Sequence, residues 1–183
     1  MEFKITEKEL NKIVKRIAKE ISVYYNDKNI NSIYFIIILT SSLIFASDLM
    51  RELSRLGMSL RTDTIRAKSY KGKNSGKVKI RVDDFLQIDL NEKNILIVDD
   101  ILDTGETLYH IREQILSLYK PNTLEFCCLL NKIHERRTKE IEVRFIGIDI
   151  PDEFVVGYGL DYNGKYRELP YLTSVDQIKK ENS

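Results

Sequence analysis

The sequence is poor in the residues that mark disordered, cross-linked or membrane-spanning chains. Its 183 residues include three Pro and eight Gly, too few for a disordered or fibrous polypeptide. Its two cysteines, Cys127 and Cys128, are neighbours and poorly placed to form an ordinary disulfide with each other. The longest apolar run, Ile33 to Leu39, falls far short of the ~20 residues a bilayer helix needs. The first residues alternate charged and apolar side chains without the pattern of a signal peptide. An excess of one charge is also missing: 29 Lys+Arg against 28 Asp+Glu leave a formal net charge of +1. That balance excludes a generally basic nucleic-acid coat or an acidic tail protein, while leaving local patches open. With no internal repeat, low-complexity tract or linker, residues 1–183 are expected to form a single domain. Such a domain buries roughly 70% of its unfolded surface. The expectation is a reduced, cytoplasmic protein with no membrane and no nucleic-acid partner.

What is present is a regular alternation of helical and extended patterns. Thr6-Glu7-Lys8-Glu9 is a capping box, followed by Leu10, Ile13, Val14, Ile17, Ala18, Ile21 and Tyr24 at helical spacing. Ile33 to Leu39 is apolar on both faces, as a central parallel strand requires. Thr40-Ser41-Ser42 turns into a helix carrying Leu43, Ala46, Leu49, Met50 and Leu53, which Gly57 ends. A strand over 59–67 leads to a polar loop, 69–77, and Val78, Ile80 and Val82 alternate as an exposed strand on its return. Ile95 to Val98 is a second buried strand, 105–119 an amphipathic helix, 123–130 a third strand and 143–148 a fourth. Strands alternating with helices predict an α/β fold with a mostly parallel sheet.

The chemistry is concentrated in Ile95-Leu96-Ile97-Val98-Asp99-Asp100-Ile101-Leu102-Asp103-Thr104-Gly105-Glu106-Thr107. A buried strand ends in two carboxylates, a third follows three residues on, and Thr-Gly-x-Thr opens a helix. In a parallel sheet these groups gather at the carboxyl ends of the strands, where α/β proteins bind ligands. The glycine permits a tight turn, and the helix N-terminus offers unpaired N–H groups to an anion. Asp99, Asp100 and Asp103 have no basic residue nearby in sequence before Arg112, so they call for a cation, hydroxyl donors or a proton-transfer task. The plain alternative makes Asp103 a helix cap and Asp99 and Asp100 solvated loop acids.

This segment resembles the ribose-phosphate motif of the type I phosphoribosyltransferases, and four further motifs match the same family in their order along the chain. Pro151-Asp152-Glu153-Phe154-Val155-Val156-Gly157-Tyr158-Gly159-Leu160-Asp161-Tyr162, with Tyr166-Arg167 after it, resembles the purine-binding tail of the hypoxanthine(-guanine) phosphoribosyltransferases. Leu129-Leu130-Asn131-Lys132 resembles their base-binding lysine segment, and Ser69-Tyr70 the head of their catalytic flap. Ile44 to Leu49 resembles the helix after their pyrophosphate loop. The resemblance implies a mostly parallel twisted sheet flanked by helices, with a small hood from the N- and C-terminal segments (about 150–175) and a mobile flap at about 69–78.

It also implies purine salvage: hypoxanthine, with guanine or xanthine as further candidates, reacts with phosphoribosyl pyrophosphate to give the purine 5′-monophosphate and pyrophosphate. Asp99 and Asp100 would approach the ribose hydroxyls and help hold Mg²⁺, hard oxygen donors suiting a hard cation. Asp103 would handle the N7 proton, and Thr104, Gly105, Glu106 and Thr107 would hold the 5′-phosphate. Glu106 departs from the lysine or neutral residue that relatives often carry there. Lys132 would donate to the purine 6-oxo group; adenine presents an amino donor at that place and would be disfavoured. Phe154 would stack on the base, the Val155 backbone would pair with its edge, Asp161 would bind a second Mg²⁺, and Arg167 would contact pyrophosphate. Thr40 and Ser41 stand in the pyrophosphate loop, where relatives hold a non-proline cis peptide, and Ser69 and Tyr70 would close over the substrate. Family members assemble as homodimers or homotetramers. His110 and His134 lack a third metal-ligand partner and read as surface or packing residues; Cys127 and Cys128 read as small apolar residues on opposite strand faces. A second reading from another class is a phosphoribosyltransferase-fold regulator that binds RNA and senses nucleotides, against which Asp103, Lys132, the Phe154–Asp161 segment and the neutral charge all stand.

Overall fold

The computed structural model describes residues 3–66 and 88–181. The short strand β1 (Lys4–Ile5) enters helix α1 (Glu7–Asn26). Both bonds of the capping box form, the Glu9 amide donating to Thr6 Oγ1 and the Thr6 amide to Glu9. Leu10, Val14, Ile17, Ala18 and Ile21 are buried as their spacing requires. At the helix end Tyr25, rather than Tyr24, is fully buried and reaches the Ile95 carbonyl. Tyr24 lies at the rim, where its hydroxyl meets Glu125.

Strand β2 (Ser32–Leu39), helix α2 (Leu43–Arg55) and strand β3 (Ser59–Arg66) follow, then β4 (Asn94–Leu102), α3 (Glu106–Leu118), β5 (Thr123–Lys132) and β6 (Phe145–Ile150). The five strands form one parallel sheet in the order β3-β2-β4-β5-β6. The chain leaves β2 toward β3 on one side and returns to β4 on the other. The gap between β2 and β4 is therefore a topological switch point, where open parallel sheets bind ligands. Ile33, Phe35 and Ile37 of β2 face a core shared with α1 and α2, while Ile36 and Ile38 face the core under α3. Cys127 and Cys128 divide in the same way, one into each core, as strand alternation demands. Burial pushes the Cys127 thiol up; burial and then the nearby Asp99 carboxylate push up Cys128.

The last part of the chain adds β7 (Val155–Val156), β8 (Leu172–Ser174) and the short helix α4 (Val175–Glu181). β1, β8 and β7 form a separate three-stranded antiparallel sheet, so the two chain ends together build the hood. Three expectations shift. β4 runs four residues beyond Val98, β6 begins at Phe145 instead of 143, and the two- and three-residue hood strands were not foreseen. The exposed strand expected at 78–82 and the flap at 69–78 lie outside the described residues.

Candidate active site

The extension of β4 decides how its acids are held. Asp99 and Asp100 belong to the strand and are 6% and 4% exposed, so they are not solvated loop acids. The Asp100 amide donates to Asp99 Oδ1 at 3.0 Å. Burial, and then the Asp100 carboxylate beside it, push Asp99 well above the usual carboxylate range. Among the described residues neither acid forms an ion pair, and no group of three or more His, Cys, Asp or Glu is placed to bind a metal. A buried acid pair of this kind fits a hard dication that takes its remaining ligands from substrate and water, as Mg²⁺ does.

After Leu102 the chain turns through Asp103 and Thr104 to Gly105, which caps α3 with φ +83°. A Cβ there would lie 2.4 Å from the Lys139 carbonyl oxygen, so only glycine fits between the turn and the segment crossing it. That segment straps the turn: the Thr138 and Lys139 amides both donate to the Thr104 carbonyl at 3.1 Å. Helix α3 has no side-chain cap, and a cavity of about 40 Å³ lined by Asp99, Asp103, Thr104, Gly105 and Thr107 opens at its N-terminus. This is the geometry of an anion cradle. The Glu106 carboxylate is engaged at its own periphery. Thr138 Oγ1 donates to Glu106 Oε1 at 2.8 Å, and His110 Nε2 lies 3.1 Å from Oε2.

Asp103 is the meeting point of two strands. Lys132, the last residue of β5, is buried, and its Nζ lies 3.5 Å from Asp103 Oδ2 and 3.9 Å from Asp152 Oδ1. His134 Nε2 lies 2.5 Å from Asp103 Oδ1, with the His134 side chain 4% exposed. His134 is the site residue the sequence reading set aside. Its partner is 31 residues away, and the only local signal was its place two residues beyond Lys132.

Phe154 is 58% exposed beside buried Val155 and Val156, and among the described residues the one ring it meets is that of Tyr162, edge-on. Asp161 and Arg167, read from sequence as independent ligands, are paired with each other at 2.5 Å. Arg167 also donates to the Gly159 carbonyl at 2.6 Å. At the end of β2 the Leu39–Thr40 peptide is cis; Thr40 is exposed, Ser41 half-buried, and Ser42 donates its hydroxyl to the Ile38 carbonyl. Ser69 and Tyr70 lie outside the described residues.

Residues 5–163 match the phosphoribosyl transferase domain family. The chain is 39% identical over 175 residues to hypoxanthine phosphoribosyltransferase of Escherichia coli K12, covering 96% of this chain and 95% of that protein. The chain belongs to the hypoxanthine(-guanine) phosphoribosyltransferase family. The hypoxanthine-guanine phosphoribosyltransferase of Staphylococcus aureus is also 39% identical, over 92% of this chain and 89% of its own length. Among solved structures, the Bacillus anthracis hypoxanthine-guanine phosphoribosyltransferase superposes with a TM-score of 0.81 at 37% identity, covering 96% and 98% of the two chains. A Trypanosoma cruzi hypoxanthine phosphoribosyltransferase complexed with the product IMP gives 0.84 at 31% identity, covering 100% of this chain and 95% of that one. None of these relatives supports the RNA-binding regulator.

Proposed function

We propose that this enzyme transfers the phosphoribosyl group of phosphoribosyl pyrophosphate to N9 of a 6-oxopurine, with hypoxanthine as the first substrate and guanine or xanthine as further ones. The observation that carries this reading is the 3.5 Å contact between Asp103 Oδ2 and Lys132 Nζ. A 6-oxopurine carrying its proton on N7 presents a donor, N7–H, beside an acceptor, the 6-oxo oxygen. Asp103 and Lys132 present the complementary acceptor and donor side by side. Adenine would set its amino donor against the Lys132 ammonium, donor facing donor, and forgo the bond that a 6-oxo oxygen accepts.

Asp103 takes the N7 proton as N9 bonds to C1′ of the ribose, and the C1′–oxygen bond to pyrophosphate breaks with its electron pair leaving on pyrophosphate. Thr104, Gly105, Glu106 and Thr107 hold the 5′-phosphate chiefly through backbone N–H groups at the start of α3. Phe154 stacks on the base, and its exposure supports this, since a core phenylalanine would be covered. Thr40 and Ser41 face the pyrophosphate, together with Arg167 once its pairing with Asp161 opens. Asp99, Asp100 and Asp161 are the residues that would hold Mg²⁺, which neutralises pyrophosphate and ribose oxygens when bound. Ser69 and Tyr70, matched to the family's flap motif, are proposed as further substrate contacts.

The test is a panel of hypoxanthine, guanine, xanthine and adenine with phosphoribosyl pyrophosphate and Mg²⁺, read as nucleotide formed. The wild type should turn over 6-oxopurines at least 100-fold faster than adenine. Asp103→Asn should lower kcat by 10²-fold or more, and Lys132→Gln should erode the preference against adenine. Equal use of adenine by the wild type, or near-normal turnover by Asp103→Asn, would remove this reading of the site.

A further inference from the structure

The Asp103 carboxylate sits on a turn with 42% of its side chain exposed, an environment that by itself leaves a short acid free to rotate. Yet its two oxygens are inequivalent. Among the described residues Oδ2 has only the long 3.5 Å contact to Lys132, whereas Oδ1 is held by His134 Nε2 at 2.5 Å. The imidazole is itself oriented: the Arg136 amide donates to His134 Nδ1 at 2.9 Å. A ring nitrogen that accepts an N–H bond carries no proton, so the His134 proton resides on Nε2 and points at Asp103. The order is Arg136 N–H to Nδ1, then Nε2–H to Oδ1. The imidazole is almost wholly covered, so packing as well as these hydrogen bonds restricts it.

We propose that His134 is a positioning residue for Asp103: it holds Oδ1 through a fixed Nε2–H tautomer and so leaves Oδ2 as the oxygen that receives the purine proton. This rests on the reading of Asp103 as the base. When a 6-oxopurine enters, the Lys132 ammonium transfers its contact to the 6-oxo oxygen, freeing Oδ2 for N7–H, while the His134 bond stays in place. The carboxylate therefore meets the base already oriented, with no rotamer search at the moment of reaction.

Two substitutions separate this role from a structural one. Gln at 134 can place an N–H donor where Nε2 stands, keeping the bond to Asp103 but not the acceptor for the Arg136 amide. Asn can keep that acceptor near Nδ1 but cannot reach Asp103. His134→Asn should lower kcat roughly 10- to 100-fold with the KM for phosphoribosyl pyrophosphate within about twofold of wild type, because orientation is felt in the transition state. His134→Gln should retain kcat within about threefold. The ligand-free protein offers a second readout independent of activity. His110 and His134 are the two histidines of the chain, and ¹⁵N resonances assigned with the 134 variants should show protonated Nε2 and bare Nδ1 at His134. Equal kcat in His134→Asn and wild type, an equal loss in both variants, or the opposite tautomer would overturn the proposal. Asp103→Asn measured alongside keeps the two ideas apart. If it is inactive while His134→Asn is normal, the base stands and only the positioning role falls; if it is active, the base itself falls.

Discussion

Gly159 packs against the carbonyl oxygen of Ser41, so closely that a Cβ at position 159 would come within 2.0 Å of it. The contact joins the C-terminal hood loop to the turn that follows β2, two segments separated by more than a hundred residues. It also brings the loop carrying Asp161 and Arg167 to the side of the sheet where Thr40 and Ser41 lie.

Gly159→Ala must therefore push the two segments apart, since the blocking atom is backbone and φ at 159 is +103°. A loss of about 1–3 kcal/mol in stability is expected, together with a raised KM for phosphoribosyl pyrophosphate. Gly164→Ala is the control. It too has positive φ, +79°, but nothing within 4 Å of the added Cβ. Denaturant unfolding and substrate kinetics on both variants test this; equal behaviour would mean that the approach to Ser41 carries no weight.

Phe154→Ala separates binding from folding. The ring is 58% exposed, so its removal should change unfolding stability by no more than ~0.5 kcal/mol. Loss of stacking on the purine should raise the KM for hypoxanthine about 10-fold. A large drop in stability at unchanged KM would place Phe154 among the structural residues instead.

Alkaline pH should destabilise the protein through its buried thiols. Cys127 and Cys128 are completely covered, and burial holds both thiols above their ordinary range. Above about pH 8.5 the unfolded thiols release protons that the folded ones keep. The folded state then binds more protons, and stability falls as pH rises. In reducing buffer, thermal unfolding at pH 7, 9 and 10 should show this decline, and a Cys127→Ala, Cys128→Ala double variant should show a shallower one. Parallel declines would assign the alkaline sensitivity to other groups.

Local signals were legible wherever neighbours in sequence are neighbours in space. The Thr6–Glu9 capping box needs only one helical turn, and both of its bonds are present. The apolar run ending at Leu39 and the split of Cys127 and Cys128 follow from strand geometry alone. The hood strands were not legible, because two residues at Lys4–Ile5 gain their extended form from pairing with Leu172 and Thr173. No propensity within so short a segment reports a partner at the other end of the chain.

The candidate site divides along the same line. Its inventory of Asp99, Asp100, Asp103, the Thr-Gly-x-Thr turn and Lys132 was set by the sequence itself, because strand-end acids and a glycine turn are local patterns. Only the tertiary structure decided their states. Burial and mutual repulsion raise Asp99, the approach of β5 sets Lys132 against Asp103, and Asp161 spends its carboxylate on Arg167. His134 shows the division most sharply: a histidine without motif spacing becomes the fixed partner of the proposed base through a contact spanning 31 residues. The near balance of basic and acidic residues determined only that the chain as a whole carries no large excess of either sign. Folding is what places the few charges that matter at one end of one sheet, where the burial of Asp99, Asp100 and Lys132 strengthens their interactions.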